Sequence, residues 1–151
     1  MLDKFEKLIK QIEEAGEEFD FFGPVPDSEI AQAEMRLGIK FPEEYKEFLK
    51  KWGGGGITGG SQISGLVPGN PDMDSFGTIV GDTEEARKSF NINRKFLIIH
   101  ADGEEVLWAL DCSLSDGVPP VIGVDVRNNK PKKIADCFTD LLMDYFSSWL
   151  D

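Results

Sequence analysis

Apolar residues recur at helical spacing from the start of the chain: Leu2, Phe5, Leu8, Ile9 and Ile12 fall on one stripe that stops at Gly16. This predicts an amphipathic first helix with one buried face. The segment Glu17 to Pro26 carries Phe19, Phe21 and Phe22 ahead of Gly23, Pro24 and Pro26, and reads as a turn-rich connection that tucks its rings against the domain. Asp27 or Ser28 can cap a second helix with Ile30, Ala33 and Leu37 on its inner face and Gly38 at its end. Pro42 suits the first position of a third helix. Glu43 and Glu44 sit at the positive end of that helix, Tyr45, Phe48, Leu49 and Trp52 form its buried stripe, and Gly53 to Gly56 stop it.

Between Gly53 and Thr78 the helical period is lost, and nine of the sixteen glycines lie there. The stretch reads as mostly loop, with a short strand around Gln62 to Leu66. Asp82 or Thr83 could cap a small helix running through Phe90. From Phe96 the period becomes that of strands: Phe96 to His100 and Glu105 to Leu110 are β-prone runs joined across Asp102 and Gly103, a strong hairpin signal. Further strands are expected at Val121 to Val126 and near Lys132 to Ile134. In the last helix Phe138, Leu141, Leu142, Tyr145, Phe146 and Trp149 share one face, and Asp136, Asp140 and Asp144 recur every fourth residue on the other. Like charges four apart weaken an isolated helix, so docking of the apolar face must hold it. With no repeat and no dividing linker, the expected fold is a single compact α+β domain over residues 1–151, an antiparallel sheet flanked by helices.

Composition supports a folded chain, since 40% of its 151 residues are hydrophobic and 29% charged. A domain of this length buries about 68–70% of its unfolded surface, enough for one core. No apolar run approaches the roughly 20 residues of a membrane span, and charge interrupts the first helix from its start, against a signal peptide. Cys112 and Cys137 lie far apart with no second cysteine or histidine nearby, which suggests neither a zinc site nor a disulfide framework and points to a reducing cytoplasm.

Net charge is −12, and it is unevenly spread: residues 1–50 hold 13 acids and 7 bases, residues 51–100 hold 5 of each, and residues 101–151 hold 10 acids and 4 bases. Such a field repels nucleic acid and anionic membranes and speeds encounter with a basic partner. The basic clusters Arg87–Lys88 and Lys130–Lys132–Lys133 are small and read as ordinary surface.

Catalytic signals are weak. His100, the only histidine, ends an apolar strand and reads as a hydrogen-bonded structural residue. Cys112 has no positive neighbour in sequence to activate it, and Cys137 opens a helix as a small apolar residue would. The Gly53–Gly60 run lacks the Gly-Lys-Ser/Thr ending of a P-loop and follows a helix instead of a strand. Asp72, Asp74 and Gly77 resemble the opening of a calcium loop, but Thr83 stands where the bidentate glutamate belongs. Neither a catalytic residue, a metal site nor a cofactor is expected.

Ile30, Ala33, Glu34, Leu37, Gly38, Ile39, Phe41, Pro42, Tyr45, Phe48, Leu49, Trp52 and Gly53 together form a run that resembles the front signature of the SUKH superfamily. That group includes the Smi/Knr cell-wall regulators of fungi and many bacterial immunity proteins. The resemblance continues through Ile63, Gly65 and Leu66, the Phe96–Leu110 hairpin, Val121 to Val126, and Ile134, Ala135, Asp136, Phe138 and Leu142. It covers nearly the whole chain from Asp27 onward. Most signature residues have a structural account: Leu37, Tyr45, Phe48 and Trp52 as core, Gly38 and Gly53 as helix stops, and Pro42 as a helix start, with Phe41 beside it. The motif therefore speaks for a fold more than a function.

The resemblance implies an α+β fold and a protein that works by binding. In bacteria that means neutralising a cognate protein toxin, often a nuclease; in fungi it means a regulatory interaction module of wall synthesis. Fungal members usually carry long disordered arms, which this sequence does not show, so the bacterial setting is expected. Acidic groups would then act as a decoy for the basic surface with which a nuclease holds its substrate. The expected partner-binding residues are Asp102, Glu104 and Glu105 at the hairpin end and Asp72 and Asp74 on the loop, with the Asp136, Asp140 and Asp144 stripe as a third surface.

Overall fold

The computed structural model describes residues 2–101, 103, 105–114 and 117–150. Helix α1 (Asp3–Glu14) buries Phe5, Leu8, Ile9 and Ile12, the stripe its period predicts. The chain then forms a strand, β1 (Phe19–Phe21), where a turn-rich connection was expected. Its partner is β2 (Gly55–Ile57), inside the glycine-rich stretch, which in turn pairs with β3 (Gln62–Ile63) to make a small antiparallel sheet. The glycines there serve close approach more than flexibility: a Cβ on Gly55 would lie 2.5 Å from the Asp20 carbonyl oxygen, and one on Gly56 would overlap that of Ser61. Composition alone reads such glycines as loop, because it cannot see the strand packed against them.

Helix α2 (Asp27–Leu37) follows Pro26 and ends at Gly38, whose φ of 72° is the left-handed stop expected of it. Asp27 and Ser28 make no side-chain cap; they sit inside the first turn, where the acid faces the helix's positive end. Pro42 stands one residue ahead of α3 (Glu43–Trp52), in extended backbone at the N-cap. Tyr45, Phe48 and Leu49 are wholly buried, and Trp52 partly so. Rings of Phe5, Tyr45, Phe48, Trp52, Phe138 and Phe146 meet at centroid separations of 5.1–6.4 Å and form the centre of the main core. Truncating one such phenylalanine typically costs about 3–5 kcal/mol.

Helix α4 (Ile79–Phe90) is capped by Thr78, whose Oγ1 accepts from the Gly81 amide at 3.0 Å. Asp82 and Thr83, expected as caps, lie within the helix and are buried. Strands β4 (Phe96–His100), β5 (Val106–Asp111), β6 (Val121–Asp125) and β7 (Pro131–Ala135) form an antiparallel meander in that order. All five residues of β4 are buried, because both faces of this sheet are covered. Leu97, Ile99, Leu110 and Val121 join the main core, while Ile98, Leu107, Ala109 and Val124 form a second core with Ala86 and Ile92.

The free edge of β4 is also closed: the Ile98 amide donates to Thr83 Oγ1 at 3.0 Å, and the Ser64 amide donates to the Ile99 carbonyl at 2.8 Å. That second bond ties the small sheet to the large one. Helix α5 (Phe138–Ser147) packs on α1 and continues into a 3-10 turn, Ser148–Leu150. The fold is therefore α+β, with two antiparallel sheets where one was expected. Among the described residues no helix is long and apolar enough to cross a membrane.

Candidate functional site

Where α4 begins, beneath the junction of the two sheets, polar groups gather in the interior. Asp82 is 5% exposed and accepts from Ser64 Oγ at 2.5 Å and from the Gly77 amide at 3.2 Å. Burial pushes its carboxyl above the ordinary range, opposed by those two hydrogen bonds and by the nearby His100. The Ser64 carbonyl accepts from the Tyr45 hydroxyl at 2.6 Å, so the pocket wall is joined to the centre of α3. His100 stacks on Trp108 at 4.2 Å between ring centroids and meets the ring of Tyr145 at 5.5 Å. Its Nδ1 lies 3.1 Å from the Gln62 carbonyl. A carbonyl only accepts, so Nδ1 carries a proton and donates it to this contact. Gln62, Ser64, Gly77, Asp82 and His100 line a cleft of about 310 Å³ together with Gly60 and Phe76, the latter 72% exposed.

A second concavity, of about 410 Å³, runs between α5 and β7. Its lining includes Ile134, Met143, Asp136, Asp140 and Asp144. Asp136 precedes the helix and pairs with Lys133 at 2.7 Å, which narrows the expected helical stripe to Asp140 and Asp144. Both are exposed, and among the described residues neither takes part in an ion pair. Cys137 caps α5 through its sulfur, 3.4 Å from the Asp140 amide.

The acids expected to bind a partner divide between two places. Asp72 and Asp74 share a loop fastened by Arg36, whose Nη1 donates to the Asp72 carbonyl at 2.8 Å and whose Nη2 lies 3.0 Å from the Asp74 carboxylate. The same guanidinium holds Glu84 at 2.9 Å and so bridges α2 to α4. A cation already sits where a calcium loop would need one. Glu105 pairs with Arg127 at 3.3 Å, and Arg127 in turn holds the Asp125 carboxyl down to about 2. Asp102 and Glu104 lie outside the described residues. Burial pushes the Cys112 thiol up to about 12 and raises that of Cys137 as well.

Sequence reasoning did not find Asp82 or Ser64. Asp82 stands at a plausible cap position, and only the placement of Thr78 one turn earlier turns its side chain inward. Ser64 carries no signal of its own.

An α+β chain with a helix pair ahead of a glycine-rich sheet, a four-stranded meander and a closing helix is the fold its front signature implies. The chain belongs to the SMI1-KNR4 cell-wall family (SUKH_6), whose model matches residues 27–142. The match runs from the first residue of α2 to the middle of α5 and takes in Ser64, Asp82 and His100. No curated protein matches the chain.

Proposed function

We propose that this chain is an immunity protein: it binds and blocks a cognate protein toxin inside the producing cell and catalyses no reaction itself. The favoured partner is a nuclease whose basic, substrate-holding surface meets the acidic faces described above. The observation that carries this reading is the α5–β7 groove. Asp140 and Asp144 line it beside Ile134 and Met143, and Lys133, which lines it too, is paired with Asp136 and not with either of them. A mainly polar groove that carries two exposed acids, unpaired among the described residues, suits a basic protein surface, with exposed charge setting the rate of encounter. The net charge of −12 adds long-range attraction of the same sign.

Asp74 and Glu105 each share an arginine, which weakens their pull on a partner. The groove therefore moves ahead of the loop and the hairpin end as the principal surface. Co-expression tests the function: a toxin domain encoded beside this chain should lose its toxicity when the chain is present. Equal killing with and without it would refute the reading. The family description, which speaks of the cell wall, favours a second reading as a regulatory interaction module, and the absence of any adjacent toxin gene would support it.

A further inference from the structure

Among the described residues three carboxylates are buried: Glu34, Glu44 and Asp82. Glu34 accepts from the Phe41 amide at 2.7 Å and has Lys46 at 3.5 Å. Glu44 accepts from the Thr139 amide at 3.1 Å and from the Thr139 hydroxyl, fastening α3 to the first turn of α5. Both lie at joints between elements, where the acid has a structural task. Asp82 differs from them in lining an open cleft, and among the described residues no cation pairs with it or with Glu44. Each of its oxygens accepts one hydrogen bond, from Ser64 and Gly77, which leaves lone pairs on both. A desolvated carboxylate is costly unless a positive charge meets it, and that cost is recovered by whatever cation arrives.

The walls narrow the choice of cation. About 310 Å³ is the low end for ligand pockets and suits one side chain better than a cofactor. Phe76 lines the opening with most of its ring in water, placed to cover a methylene stem or a guanidinium plane. His100 lines the same cleft, and Ser64 and Gly77 fix the carboxylate in position. We propose that this cleft is a binding site for one basic side chain of a protein partner, an arginine or lysine whose charged head meets Asp82 while its stem lies along Phe76. It rests on the immunity reading only for the identity of the protein that presents the side chain.

N-acetyl-arginine amide, titrated into the full-length protein and followed by amide NMR, tests the proposal. Saturable shifts are expected at Gly60, Gln62, Ser64 and Gly77, with N-acetyl-lysine amide acting on the same residues and N-acetyl-citrulline amide, isosteric and uncharged, without effect. Asp82→Asn should weaken binding about tenfold or more, as loss of a charged hydrogen bond does. Phe76→Ala, at an exposed position that leaves folding intact, should weaken it about two- to fivefold. If Asp82→Asn does not fold, the citrulline contrast and Phe76→Ala decide the matter. No shift at any concentration, equal shifts from citrulline, or undiminished binding by folded Asp82→Asn or by Phe76→Ala would overturn the proposal. Tighter binding of free arginine than of its capped form would assign the cleft to a small molecule and overturn the protein side chain. No toxin enters this titration, so its failure leaves the co-expression result standing, and a failed protection assay leaves the titration standing.

Discussion

The cleft at Asp82 and the groove beside α5 are both acidic concavities, and they differ in what surrounds the acid. In the groove, Asp140 and Asp144 are exposed, so water and salt screen them and their effect on stability is small. In the cleft a single carboxylate is out of water, held by one hydroxyl and one amide beneath a half-open roof. The formal charge favours the groove, and desolvation favours the cleft. Counting acids along a chain therefore finds the exposed surface and passes over the buried acid, whose removal should be felt more than that of either groove acid.

The largest effect is expected where the cleft is built. A Cβ on Gly65 would overlap the Gly53 carbonyl oxygen and lie 2.5 Å from Gly54 Cα. Gly65→Ala should therefore destabilise the protein by about 3 kcal/mol in urea unfolding, the upper part of the usual range for overpacking. An unchanged midpoint would show that the two glycine segments do not need this approach. Next comes Asp82→Ala, which strips Ser64 and Gly77 of their acceptor and should cost about 1–3 kcal/mol. Asp82→Asn, which keeps an acceptor, should cost less, and a reversed order would break the account of the site.

A pH series sharpens the contrast further. Because burial raises the folded-state value of Asp82 above its unfolded one, protonation favours the folded state. The stabilisation is fully present below the unfolded value and is lost as pH rises through the folded one. Urea midpoints of Asp82→Asn should lack that slope, and those of Asp144→Asn should keep it. The smallest effect belongs to the groove: Asp140→Asn or Asp144→Asn removes like-charge repulsion four residues apart and should leave stability unchanged or raise it by about 0.2–0.5 kcal/mol. A loss of more than about 1 kcal/mol would mean that these acids hold the helix, against the reading that they face a partner.

Much of the fold was legible in the sequence because its signals are local. The 3.6-residue stripes of α1, α3 and α5, the Gly38 stop and the apolar, β-prone runs of β4 and β5 each depend on neighbours a few residues apart. The acids of the groove were legible for the same reason, as a repeat along one helix. The misread strands needed partners distant in the chain. β1 and β2 are strands because residues 19–21 meet residues 55–57, and glycine at positions 55 and 56 records that contact without naming it. Asp136 was misread for a local reason: α5 begins only at Phe138, and Asp136, ahead of it, pairs with Lys133 three residues away.

The sequence by itself determined the class of fold, the family signature and the acidic balance, since all three are written in composition and short spacing. Only the tertiary structure decided which acids are free. Arg36 reaches Asp74 across 38 positions, and Ser64 reaches Asp82 across 18. A carboxylate's strength as a binding group depends on its water and its partners, and folding sets both.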